Sequence, residues 1–271
     1  GKASPVVARD LEALGLNYLS QNRLAEAWPL FERAIAIRIP RQGLAHPRVS
    51  EDLNELGSIA YLKNDPESAE KYWLRALRSD ELVLGPNHPD VAITINNVAR
   101  VMLERREFDQ AASLLRRAVA INLSQRSETH DDLAFTFANL AIAEQGLNRT
   151  DEAESLFRKA LIAAQMHKHR NLAPIMTELA DLRCRKGYLA EGLSMLSKAA
   201  PIMRKDYPDD AWRWAWVENT QGACLLKGGR TGEAKRLLVD SMPELRKRWT
   251  PNSLFGFRAQ QRLDMLRRVA H

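Results

Sequence analysis

The sequence predicts an all-α fold in which six helical hairpins stack one on the next and a further helix closes the end. Two observations predict it. One frame of small and bulky residues recurs six times, and the apolar residues between recurrences follow a helical period. The frame is Gly15, Ala27, Phe31, Ala34, then Gly57, Ala69, Trp73, Ala76, then Ala99, Ala111, Leu115, Ala118. It continues through Ala141, Ala153, Phe157, Ala160, through Ala180, Gly192, Leu196, Ala199, and ends with Gly222, Ala234, Leu238, Ser241. Successive anchors are 42, 42, 42, 39 and 42 residues apart.

Each unit divides into two helical stretches at a short polar turn. The turns are Gln21-Asn22-Arg23, Lys63-Asn64-Asp65, Arg105-Arg106-Glu107, Leu147-Asn148-Arg149, Lys186-Gly187 and Gly228-Gly229-Arg230. Pro66 stands where a second helix begins, a position that tolerates the missing N–H. Asp109, Asp151 and Thr231 offer polar groups near other second-helix starts. The small residues mark where two helices approach closely, and the bulky one fills the adjacent gap. A single hairpin cannot bury its apolar face, so units must stack. Pro29, Pro201 and Pro243 fall inside second helices and are expected to kink them. Ser253 to Val269 reads as one more helix, with Leu254, Phe257, Leu263, Leu266 and Val269 available to cover the end of the stack.

These residues resemble the tetratricopeptide repeat, whose pattern places Leu-Gly and an aromatic in the first helix and Ala, a bulky residue and Ala in the second. Leu14-Gly15 with Tyr18 fits, as does Leu56-Gly57. The period exceeds the usual 34 residues. Leu84-Gly85-Pro86-Asn87-His88-Pro89-Asp90-Val91-Ala92 followed by Ile95-Asn96-Asn97-Val98-Ala99 is similar to the kinesin-light-chain class, a type carried by many bacterial proteins. The resemblance covers residues of about 8 to 249. It implies a right-handed superhelical solenoid: a six-repeat array over 1–250, with units of about 8–46, 50–88, 92–130, 134–170, 173–209 and 212–249, and a capping helix over 251–271. Units five and six depart most, with Gln221 in place of the Leu expected before Gly222 and a fifth unit three residues shorter.

Composition excludes several classes. At 45% hydrophobic and 27% charged residues, the chain is an ordinary folded one, and it has no apolar run of membrane-spanning length. No membrane insertion is expected. The opening Gly1-Lys2-Ala3-Ser4, without Met, reads as an expression boundary, and a cytoplasmic location is the expectation. Cys184 and Cys224 lie far from any metal-ligand spacing and are expected to be reduced, small apolar residues. Charge is uneven. Residues 136–271 hold 23 Lys/Arg against 15 Asp/Glu, a surplus of eight, whereas residues 1–135 hold 17 against 19. The C-terminal half therefore suits an acidic partner.

No catalytic residue is assigned, and no metal or cofactor is expected. His46, His88 and His130 recur every 42 residues. Helix layers roughly 8–10 Å apart cannot bring equivalent positions to one ion held at about 2 Å. These histidines are expected to help start the following first helix instead. His167-Lys168-His169-Arg170 reads as a solvated linker. Gly-rich phosphate loops, His-Glu-x-x-His, Cys-x-x-Cys and Gly-x-Ser-x-Gly are all absent from the sequence, and the chain is read as a non-enzyme.

The resemblance makes the first helices line a concave groove. Its implied partner-binding positions include Asn54, Ile93, Asn96, Asn97, Arg100, Phe135, Asn139, Ile142, Asp181, Arg185, Trp216, Asn219 and Lys227, with Glu51, Glu55, Ser58, Gln145, Thr177, Glu178 and Thr220 beside them. An amide both donates and accepts, so the asparagines suit either an extended peptide backbone or bonds between repeats. Ile93, Phe135, Ile142 and Trp216 would form apolar pockets. Arg100, Arg185 and Lys227 would pair with acidic groups. The Lys/Asn/Arg set that clamps a C-terminal carboxylate in some family members is missing: Asn54, Phe135 and Asn139 stand where its cations belong. Of Trp212, Trp214 and Trp216, the first and third share a helix face, and Trp216 is expected to remain partly open.

The expected function is a scaffold holding a protein or peptide, acidic towards the C-terminal half. The alternative is nucleic-acid or other polyanion binding through the basic half, which the scattered basic residues disfavour. A regulatory segment of a larger signalling protein is a further expectation, as is self-association through an N-terminal end with no cap before Arg9.

Overall fold

A computed structural model describes residues 4–125, 127–167 and 170–269. These form thirteen α-helices, with no strand among the described residues. The hairpins are α1 (Pro5–Ser20) with α2 (Leu24–Gln42), α3 (Pro47–Leu62) with α4 (Pro66–Leu84), and α5 (Pro89–Glu104) with α6 (Phe108–Leu123). They continue as α7 (Asp131–Gly146) with α8 (Thr150–Met166), α9 (Leu172–Arg185) with α10 (Leu189–Asp206), and α11 (Ala211–Lys227) with α12 (Thr231–Arg248); α13 (Leu254–Val269) follows. Lys168 and His169 of the expected linker lie outside the described residues.

Two compact units divide the chain: Gly1–Val101 with Ala120–Gln125, and Met102–Val119 with Arg126–His271. In the N-terminal unit, Ala27, Phe31, Ile35, Val49, Leu53, Leu56, Ile59 and Ala76 form a common core. In the C-terminal unit one cluster joins Ala173, Leu196, Met203, Trp216, Leu238, Leu245 and Trp249 to Ala259, Leu263 and Leu266 of α13.

The repeated frame acts as its residue sizes demand. A Cβ on Gly57 would stand 2.5 Å from the Trp73 ring, and one on Gly15 would stand 2.9 Å from the Phe31 ring. These separations are too short for a methyl, so the first helix lies on the face of the bulky side chain only because the anchor is small. Every hairpin turn passes through one left-handed residue seven positions after its anchor: Asn22, Asn64, Arg106, Asn148, Gly187 and Gly229. Asn and Gly dominate there because they tolerate positive φ. His46 and His130 are N-cap residues whose Nδ1 accepts from Arg48 N and Asp132 N, and His88 Nδ1 accepts from Asp90 N at 3.2 Å. The histidine row therefore starts helices, satisfying N–H groups that would otherwise be orphaned.

One expectation is overturned here. Cys184 and Cys224 are joined in a disulfide, with their Cα atoms 5.3 Å apart. They lie 40 residues apart, nearly one repeat, so stacking brings α9 and α11 side by side at these positions. Neither cysteine is a free thiol.

Candidate functional site

The expected groove residues all lie on first helices, and the two units treat that face differently. In the N-terminal unit it is open. Glu51 is exposed and Asn54, Glu55 and Ser58 are half-buried on α3, while Ile93 on α5 is 48% exposed with Asn97 half-buried in the next turn. Arg100 lies over the Tyr61 ring at 3.9 Å and near Trp73 at 5.1 Å, a cation–π arrangement that holds its guanidinium. Burial, with Glu51 nearby, pushes the Glu55 carboxyl above its ordinary value.

Asn54 here serves the stack. Asn54 Nδ2 donates to Thr94 Oγ1 at 3.2 Å, linking α3 to α5, and the Asn54 carbonyl accepts from Trp73 Nε1. Thr94 in turn donates to Asp80 at 2.7 Å. Asn96 is buried and donates to Ala92 O of its own helix at 2.9 Å.

In the C-terminal unit the same face is filled by the chain itself. Every residue of α7 from Leu133 to Gln145 except Phe135 is buried, and α9 is buried from Ile175 to Leu182. A helix covered on all sides needs groups over its inner stripe, and α13 supplies side chains that reach Gln145 at the end of α7 and Glu178 and Asp181 on α9. Arg258 donates to Gln145 Oε1 of α7 at 2.7 Å and to Glu178 Oε2 of α9 at 2.8 Å. Arg262 donates to Asp181 Oδ1 at 2.5 Å, to Asn219 Oδ1 at 3.0 Å and to Thr220 Oγ1 at 3.2 Å. Phe255 meets Trp216 edge-on and stacks on Trp249, while Arg106 covers Phe257 at 4.0 Å. Thus α13 packs on α12, as an end helix should, and also inserts two arginines between the first helices.

This seating corrects the expectation for Trp216. It is 7% exposed, closed in by Trp249 and Phe255. Trp212 and Trp214 are the half-buried pair. Asn139, Ile142, Asp181 and Asn219 are also buried, and Asn219 is held by Ser241 and Arg262. Arg185 and Lys227 remain exposed at the far ends of α9 and α11.

The carboxylates respond to their surroundings. Burial alone would raise the Asp181 carboxyl, yet Arg262, Arg185 and Arg258 hold it at about 2. The N-terminal unit contains a buried cluster of opposite balance. Arg38 donates to Asp52 and to Glu12, the latter at 2.5 Å. Burial pushes Asp52 up to about 7 against the pull of Arg38, helped by the charges of Glu12 and Glu51.

The α13 arginines were missed as groove occupants. Their signal was available: Arg258 and Arg262 sit four apart on a stripe that continues into Leu266. Charge on an otherwise apolar stripe implies buried partners.

Stacked two-helix units with small anchors, left-handed turns and no strand among the described residues define an α-solenoid of helical hairpins. Tetratricopeptide-repeat models match residues 51–124 and 136–167. The chain carries tetratricopeptide repeats over these residues, and in fold it is similar to kinesin-light-chain-like repeat proteins. It is similar to a putative kinesin light chain with nearly identical repeats from Podosopora anserina, at 19% identity over 74% of this chain and 97% of that one, with a TM-score of 0.55. It is similar to BtubC (BKLC) from P. vanneervenii, at 19% identity over 84% and 91% of the two chains and a TM-score of 0.61. A Rap protein complexed with Competence and Sporulation Factor shares the fold at 14% identity, covering 95% of this chain and 75% of that one, with a TM-score of 0.64. No curated protein matches the sequence.

Proposed function

We propose that this chain is a non-catalytic interaction scaffold that holds a segment of a partner protein on the first-helix face. The observation that carries the reading is α13, a segment of the chain itself bound on that face through buried ion pairs and aromatic contacts. That seating supports a face able to take a helical segment, and a similar Rap protein is complexed with Competence and Sporulation Factor. The open stretch is α3 and α5, where Ile93 offers an exposed apolar contact flanked by Asn97, Glu51 and Glu55. An acidic segment suits the surplus cations at the ends of α9 and α11, whereas Glu51 and Glu55 favour a neutral or basic one at α3.

A photo-crosslinking side chain placed at Ile93 tests this, with Leu82 of α4, 60% exposed, as the reference position. A protein captured through position 93 and not through 82 supports the reading. Capture through 82 alone moves the interface to the second helices.

The disulfide bears on location. No described helix is long and apolar enough to cross a membrane. A cytoplasmic site, expected from the sequence, would expose the Cys184–Cys224 bridge to cellular reductants. The bridge favours an oxidising compartment, and alkylation followed by mass measurement on protein from its source cells decides between the two.

A further inference from the structure

The first-helix face of the C-terminal unit is not wholly filled by α13. Between the ends of α9 and α11 and the stretch of α13 from Arg258 to Val269 lies a cavity of about 660 Å³. That size accommodates a small organic molecule. Its apolar wall is Ala223, Leu226, Met265, Val269 and the Cys184–Cys224 bridge.

Its charge is one-sided. Arg185, Lys227, Arg258, Arg262 and Arg268 line it, with Asp181 as the one lining carboxylate among the described residues. Arg262 takes one oxygen of Asp181, and Arg185 takes the other at 3.2 Å; Arg258 is satisfied by Glu178 just beyond the wall. Lys227 donates to the Arg185 carbonyl. Neither Lys227 nor Arg268 has a carboxylate partner among the described residues. Two acids therefore serve five cations. Partial desolvation of this half-exposed side chain, together with neighbouring Arg258 and Arg262, pushes the Arg185 guanidinium below its ordinary value despite Asp181. Crowded cations on a partly apolar wall are stabilised by an incoming anion, and guanidinium groups bind carboxylate and phosphate oxygens by charge-assisted hydrogen bonds.

We propose that this cavity is a binding site for a small amphipathic anion: an acidic head held by Arg185, Lys227 and Arg268, and an aliphatic body lying on Leu226, Met265 and Val269. The α13 helix completes the site, since it supplies Met265, Arg268 and Val269. The proposal does not depend on a partner segment on α3 and α5, and octanoate binding reads it separately; an acidic segment reaching the ends of α9 and α11 would share Arg185 and Lys227 with it.

The test is isothermal titration of the full chain with octanoate, with octan-1-ol as the uncharged probe of equal length. Octanoate is expected to bind at one site at least tenfold more tightly than octanol. Arg268→Glu, a change at an exposed position, is expected to weaken octanoate at least fivefold and leave octanol unchanged. Met265→Asp, also at an exposed position, is expected to weaken both probes. Equal binding of octanoate and octanol, octanoate binding indifferent to Arg268→Glu, or no saturable octanoate binding to the folded chain would each overturn the assignment.

Discussion

In the N-terminal unit one buried arginine, Arg38, faces two carboxylates, Glu12 and Asp52. In the C-terminal unit two carboxylates, Glu178 and Asp181, face Arg258, Arg262 and the half-exposed Arg185. Both clusters lie where helices of different hairpins meet. Burial, with acid in excess beside it, leaves Asp52 near 7, while the excess of base holds Asp181 at about 2 against its burial. The partners differ in origin as well. Arg38 belongs to the second helix of a repeat, so its cluster is internal to the stack. Arg258 and Arg262 arrive on α13, which follows the last repeat and lies over its first helices. Charge balance thus separates a face left open on α3 and α5 from one closed by the chain's own segment.

The largest expected effect comes from removing the arginines. Arg262→Met leaves Asp181 and Asn219 buried without their main partner and should lower stability by about 3–5 kcal/mol. Arg38→Met should cost roughly half as much, because Arg48 still reaches Glu12 at 2.9 Å and Asp52 can take up a proton near neutral pH. Urea unfolding at pH 7 measures both; equal costs would break the comparison. Next is the bridge. Cys184→Ser with Cys224→Ser should lower stability by about 2–4 kcal/mol, with hydrogen exchange accelerated in α9 and α11 and unchanged in α1 to α4. Acceleration in both units would mean that they unfold as one.

The smallest effect is the dependence on pH. The folded chain binds the Asp52 proton more tightly than the unfolded chain does, so this group's contribution falls as pH rises from about 4 to about 7. Asp181 has the opposite sign: its contribution is present above about 4 and is lost as pH falls towards 2. Asp52→Asn should therefore be neutral or stabilising at pH 8, and Asp181→Asn destabilising there, each on the order of 1–2 kcal/mol. Chemical denaturation of both variants at pH 5 and pH 8 reads this, and matching signs would contradict the assigned charge balance.

Much of the candidate site was legible as position and little of it as state. The resemblance placed Asp181, Arg185 and Lys227 on the first-helix face, and all three line the cavity. Asn54 and Asn219 were on the same face, yet their amides are taken by Thr94, Ser241 and Arg262. Spacing identifies a helix face but not what lies over it. Trp216 was misread for that reason: its cover, Trp249 and Phe255, arrives from outside its own hairpin. The disulfide was missed because cysteine spacing was tested against local motifs and not against the repeat length.

The sequence by itself determined the hairpins, their turns and their stacking. Those features depend on contacts within a unit or with its neighbour, and each is written into the repeating frame: a small anchor under Trp73 or Phe31, a left-handed Asn or Gly at the turn, a histidine at a helix start. Only the tertiary structure decided which stretch of the first-helix face is open. That depends on pairs 80 to 113 residues apart, such as Arg258 with Glu178 and Gln145. No period encodes such pairs, and buried charge is tolerated only once the folded chain has brought the opposite charges together.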